Sequence, residues 1–347
     1  MPLRPKVLLL LLLALLALAG ALVFVLPGAR AGPAVVVYTS VDAEAALPLF
    51  EQFTRKTGIQ VVPRTDSEAS KTTGMAERLL QLKDNPDGDV FWNSELSFTQ
   101  VLAGAGGLEP YASPGARGIP AQYRNPLDLW TGFACRARVL IYNTQKVKRG
   151  EVPRTLEGLC EPRWKGRFAV AKPLFGTTRS HLVALALALG EEQAFKLFRG
   201  WRENGVVLAA SNSDVRNRVA DGTCELGLTD TDDALSAMER GKPVDFTVPD
   251  QTAEWRGAFL IPNTVAVLKN CPHPQAARAF VDYLLRPETE KWLAENGLRE
   301  IPVRDVGAQL PEGLRNLQAA PVDWAKVAEQ VVPLGERIYR VLSGEQP

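Results

Sequence analysis

The chain has little histidine and little cysteine, two and four residues in 347. His181 and His273 lie far apart, with no H-x-E or H-x-x-x-H spacing, so there is no zinc-enzyme signal. Cys135, Cys160, Cys224 and Cys271 include no C-x-x-C pair, which argues against a zinc ribbon or a thioredoxin-type centre. An excess of charge is missing too. Forty basic residues oppose 39 acidic ones, for a net charge of +1. A nucleic-acid partner, which needs a basic surface, is not expected. There is no G-x-S-x-G elbow, no Walker sequence and no G-x-G-x-x-G. A carboxylate pair of the glycosidase kind is the only catalytic apparatus the residues permit, and the chain is not expected to be an enzyme. No internal repeat is evident, and no run after Leu26 is apolar enough to span a bilayer.

What is present begins with an address. Arg4 and Lys6 precede Val7–Leu26, an unbroken run of 20 apolar or glycine residues. Ala29-Arg30-Ala31 follows as an A-x-A cleavage site. Residues 1–31 therefore read as a signal peptide, with the mature chain starting near Gly32. The run is also long enough to span a bilayer, and an uncleaved anchor holding the same domain outside the membrane is the rival reading. No cysteine lies there to carry a lipid. Export permits disulfides, and Cys160 can pair with Cys224 within one lobe. Small buried thiols fit the four cysteines equally well.

The mature chain opens with Val35–Tyr38, a β-rich run, then a polar turn over Thr39–Asp42. Ala46, Leu49, Phe50 and Phe53 follow at the i, i+3, i+4, i+7 spacing of an amphipathic helix. Gly58 stops that helix, and Ile59–Val62 reads as a second strand. Open α/β sheets bind ligands at the carboxyl ends of their strands, which singles out Thr39, Ser40 and Asp42. An exported chain that begins this way reads as a solute receptor. The rhythm persists. The patterns predict helices over 71–83, 96–105, 177–189, 191–203, 213–220, 232–240 and 324–342, and another through Ala277–Leu284. Strands are predicted over 89–92, 139–142, 168–170, 225–229, 244–248, 259–261 and 265–268. The roughly 315 residues after the leader suit two lobes better than one core.

Five segments resemble the periplasmic iron(III)-binding proteins of ABC importers, within the family 1 extracellular solute-binding proteins. They are VVVYTSVDAEAALPLFEQFTRKTGI, GDVFWNSE, GFACRARVLIYNT, RWKGRFAVAKPLFGTT and GAFLIPNTVAVLKNCPHPQAARAFVDYLL. In order and spacing they cover nearly all of the mature chain. The resemblance implies an α/β, two-lobed, periplasmic-binding-protein-like (type II) fold with a hinge and an interlobe ligand cleft. Lobe one is expected over 32–136 and 262–299, lobe two over 137–261 and 300–347. A monomer in the periplasm is implied, handing its ligand to an inner-membrane permease.

The same resemblance directs attention to a metal site and then departs from it. Iron-binding relatives carry two adjacent tyrosines where this chain reads Thr229-Asp230-Thr231-Asp232-Asp233, so Asp232 and Asp233 take the place of the pair. Asp42 stands at the position of a first-turn histidine. The glutamate of the D-V-F segment aligns with Ser94, with Glu95 one residue on. The implied metal set is Asp42, Glu95, Asp232 and Asp233, with Fe(III) and a carbonate or phosphate as candidate ligand. Carboxylate oxygens suit a hard cation, whether Fe(III), Mn(II), Ca(II) or Mg(II). They equally suit an organic cation. Aspartates at a helix start also cap it.

The anion side rests on residue type. Arg136 and Arg138 alternate on an extended segment and so point the same way, and Arg136 matches the family position better. Gly176, Thr177 and Thr178 open a helix whose free N–H groups favour an anion. Asn212 and Ser213 precede another helix. Trp92, Tyr38, Tyr142, Asn143 and His181 are expected in the core or hinge.

Overall fold

The computed structural model of the chain describes residues 32–41, 43–65, 73–251, 256–296 and 300–345. The expected leader and Asp42 lie outside the described residues. Among the described residues, no helix is long and apolar enough to cross a membrane.

Strand β1 (Ala34–Thr39) is rich in valine, whose branched side chains suit a pleated, buried surface. Helix α1 (Ala43–Thr57) carries Leu49, Phe50 and Phe53 onto the sheet. Strand β2 (Gln60–Arg64) then lies parallel to β1, completing the expected βαβ unit. Helix α2 (Thr73–Gln81) leads to β3 (Val90–Asn93), parallel to β1 on its other side. Helix α3 (Ser97–Gly104) and the short β4 (Leu108–Glu109) follow.

The next strand, β5 (Thr131–Asn143), is 13 residues long and buried throughout. A second α/β group follows it: β6 (Phe168–Ala171), α4 (Gly176–Leu189), α5 (Glu191–Glu203), β7 (Val207–Ala209), α6 (Asn212–Ala220), β8 (Leu226–Asp230), α7 (Thr231–Glu239) and β9 (Val244–Thr247). Strand β10 (Leu260–Leu268) returns to the first group and is followed by α8 (Pro274–Leu284), α9 (Pro287–Glu295) and α10 (Trp324–Ser343). The strands run in the order β2-β1-β3-β10-β5-β8-β6-β7. Two parallel trios thus flank an antiparallel pair, β5 and β10. Thr131–Ala137 of β5 pair with β10, and Arg138–Tyr142 pair with β8. One strand therefore belongs to both halves. The β5–β10 register shifts between Pro262 and Asn263, opposite Ala134 at φ 46°. Pro262 has no N–H to give the ladder, which suits a bulge there.

Alternate residues of the strands enter two apolar layers. Trp92, Val139 and Ile141 join Phe50, Phe53 and Phe280 on one face. Phe91, Leu140 and Phe168 join Trp201, Leu334 and Ile338 on the other. Helices thus cover both faces, as the parallel trios require. The tail, expected in lobe two, first pairs with the opposite half. Ile301 exchanges backbone hydrogen bonds with Cys135 at 2.6 and 2.7 Å, and Arg304 meets the buried Glu290 at 2.9 Å. Helix α10 then packs on α3, α4 and α5, touching both groups. All four cysteines are free thiols, so Cys160 and Cys224 are not paired.

Candidate functional site

The carboxyl ends of β1, β3, β6 and β8 converge on a cavity of about 90 Å³. Ser40 and Ser94 line it from the first group, Arg136 from β5, and Gly176, Thr177 and Thr178 from the start of α4. Asn212 and Ser213 open α6 on its wall, and Asp230, Asp232 and Asp233 complete it. Three helices therefore begin here. The first N–H groups of α4 have no side-chain cap, so their partial positive charge faces the cavity.

Among the described residues, Asp230, Asp232 and Asp233 are the acidic side chains that gather closely enough to hold a metal ion. One carboxylate oxygen from each of Asp230, Asp232 and Asp233 lies within 4.8 Å of the others. Asp230 ends β8, and the other two occupy the first turn of α7. Asp230, the N-cap residue, makes no side-chain cap hydrogen bond. Its oxygens accept instead from Arg138 Nη1 at 2.6 Å, Thr177 Oγ1 at 2.6 Å and Asn212 Nδ2 at 3.0 Å. Asp232 pairs with Arg136 at 3.2 Å. The other terminal nitrogen of Arg136 donates to the Ser94 carbonyl, bridging the two groups. Asp233 accepts from Thr229 Oγ1 at 2.8 Å and lies 3.4 Å from Arg216 Nη1.

This crowding separates the carboxyls in proton affinity. Burial, and then the charges of Asp232 and Asp230, push Asp233 up from 3.8 to about 8, with Arg216 only partly offsetting them. Burial pulls Asp230 the same way, but Arg138 and Arg136 overcome it and hold that carboxyl below its ordinary value. Neighbouring acids with opposed affinities in one cleft mark a functional site.

The model of the family described as "Bacterial extracellular solute-binding protein" matches residues 89–330. The chain belongs to that family. Among its relatives, the "Fe(3+)-binding periplasmic protein" of Serratia marcescens is 26% identical over 329 residues, 92% of this chain and 95% of that one. Iron-bound HitA from Pseudomonas aeruginosa superposes with a TM-score of 0.78 at 23% identity, over 88% of this chain and 99% of its own. The periplasmic binding protein AfuA from Actinobacillus pleuropneumoniae, with fructose-6-phosphate bound, gives a TM-score of 0.75 at 20% identity, over 90% of this chain and 98% of its own. The two-lobed periplasmic-binding-protein fold is shared with both.

Within this solute-binding protein, Glu95 stands apart from the other acids singled out in the sequence. It is fully buried beside the start of α3 and does not line the cavity. Its oxygens accept from Ser97 N at 2.7 Å, Phe98 N at 3.0 Å and Asn93 Nδ2 at 3.1 Å. Ser180 Oγ, on α4 of the other group, adds a bond at 2.7 Å. Glu95 is a joint between the halves, with its lone pairs already taken. Thr39 is also away from the cavity, its hydroxyl accepting from Val41 N at 3.1 Å. Arg138 is fully buried behind Asp230 rather than on the cavity wall. Trp92 packs between Phe50 and Phe133, and His181 sits edge-on to Phe259 at 4.7 Å.

Two charged residues of the cavity wall, Asp230 and Lys172, escaped the sequence reading. Asp230 was visible in the acidic run, and its cross-strand partner Arg138 was the signal that would have found it. Lys172, which also lines the cavity, falls between a predicted strand and a predicted turn. Its position at the carboxyl end of β6 was the available clue.

Proposed function

We propose that this chain is the periplasmic substrate-binding component of an ABC importer, and that it captures ferric iron together with an anion. The observation that carries the reading is the meeting of three carboxylates within 4.8 Å inside the cleft. Fe(III) is a small, hard cation that favours anionic oxygen. Asp232 and Asp233, on one turn of α7, would supply it. A cation there would displace the proton that Asp233 holds up to about 8. Arg136 and the start of α4 would hold the accompanying carbonate or phosphate. The similarity to the Fe(3+)-binding periplasmic protein of Serratia marcescens supports the iron assignment. No bond is made or broken in the cycle: the lobes close on the ligand, and an inner-membrane permease receives it. Cleavage of the leader would leave a free monomer in the periplasm; retention would leave the same receptor tethered.

A second reading is a phosphorylated or other organic anion without metal. The uncapped start of α4 favours it, as does the absence of the tyrosine pair. AfuA, with fructose-6-phosphate bound, shares the fold.

Calorimetry and thermal unfolding with Fe(III)-citrate, Mn(II), Ca(II) and phosphate separate the two. A ligand at about 100 times its dissociation constant stabilises the fold by about 2.7 kcal/mol. A ferric response that disappears in Asp232→Ala/Asp233→Ala supports the carboxylate site. Folded protein that responds to phosphate and to no metal rejects the iron assignment.

A further inference from the structure

Each aspartate of the cavity has an arginine of its own. Asp232 faces Arg136 at 3.2 Å, Asp230 faces Arg138 at 2.6 Å and Asp233 faces Arg216 at 3.4 Å. Three guanidiniums thus face the three aspartates, which leave no negative charge in excess within the protein. Lys172 lines the same cavity at the carboxyl end of β6. Among the described residues, it is the one ionised side chain on the cavity wall with no ion pair. Its backbone N–H is tied to the Ala209 carbonyl at 2.9 Å. Pro173 follows it, which keeps Lys172 in extended backbone. The base of the side chain is therefore fixed, and its ammonium remains a mobile point charge with three donors.

The protein consequently brings at least one positive charge to this recess beyond those it neutralises. Charges in a recess walled by protein are screened far less than in water. A bare tripositive ion would add to the excess, whereas an anion, or a metal complex of net negative charge, would cancel it.

We infer that Lys172 is a specificity-determining residue of this cleft, selecting ligands of net negative charge. This rests on the receptor reading above and adds the charge of what is received.

Wild-type protein, Lys172→Gln and Lys172→Arg are stripped of ligand, checked for fold by circular dichroism, and titrated with ferric citrate, citrate alone, inorganic phosphate and manganese(II). Wild-type protein is expected to bind at least one anionic probe. Lys172→Gln should weaken that binding about tenfold or more, each tenfold being about 1.4 kcal/mol. Lys172→Arg, which keeps the charge, should stay within about threefold. Three results overturn the assignment: equal affinities in wild type and Lys172→Gln, metal binding that needs no anion and tightens in Lys172→Gln, or no binding of any anionic probe by folded wild type. If citrate or phosphate binds through Lys172 and ferric citrate binds no better than citrate, the lysine assignment stands and the iron reading falls.

Discussion

Asp233 and Asp230 give the protein two opposed dependences on pH. The folded chain holds a proton on Asp233 up to about 8, where an ordinary carboxyl has lost it near 3.8. Stability from this group is complete below the ordinary value and is lost as pH rises through about 8. Asp230 works the other way: its contribution is present above the ordinary carboxyl value and is lost as pH falls through its own lowered one. Urea unfolding between pH about 4 and about 8 should therefore show a decline that Asp233→Asn flattens; an unchanged slope would remove Asp233 as its source. Arg138 is the second test at this scale. It is fully buried against Asp230, so Arg138→Ala should cost about 3–5 kcal/mol in urea unfolding. Arg138→Lys should recover little, because one ammonium cannot reach Asp230, Thr177 and Thr178 together. Much of the cavity wall could be read in the sequence: Thr177, Thr178 and Asn212 sit beside turns in a legible βα pattern, and the family resemblance pointed to Asp232 and Asp233. Glu95 could not be placed. Its neighbours in sequence look like a turn, and its interlobe partner Ser180 is 85 residues away.

The elements that came through best were those with a clean period. The helix predicted over 191–203 has those bounds in the structure, because glutamates begin it and its apolar stripe is regular. Strand β5 was recognised only over its apolar end. Arg136 and Arg138 interrupt the apolar run, and their burial depends on aspartates from β8 and α7. Strand β7 has three residues, two of them only partly buried, too few to show a period. Gly335 lies in α10, where alanine would ordinarily gain about 1 kcal/mol. A Cβ there would stand 2.5 Å from Arg179 Nε, and Arg179 is held by the carbonyls of Leu174 and Val332 at 2.8 and 3.1 Å. Gly335→Ala should therefore lower the melting temperature. Ser180→Ala removes the donor from Glu95 and should cost about 1–3 kcal/mol. Hydrogen exchange should then quicken at the start of α4; protection equal to wild type would show that Ser97 and the other donors already satisfy Glu95.

At the scale of the molecule β5 belongs to both halves, α10 packs on both, and Arg136 and Glu95 bond across them. Unfolding should be one cooperative transition, with calorimetric and van't Hoff enthalpies equal; two resolved transitions would show that the halves melt separately. The two-lobed plan was legible from the length of the chain after the leader and from the five segments that resemble solute-binding proteins of that fold. The tail was not, because Ile301, Arg304 and α10 are placed by partners far away in sequence. The matched charges of the cleft also constrain how such a receptor could change its diet. Replacing Arg138 or Asp230 alone strands its buried partner, and the same holds for Arg136 with Asp232. Ligand preference should drift through couples of substitutions, so a laboratory library aimed at a new cargo should randomise these residues two at a time and leave Lys172 free to vary alone.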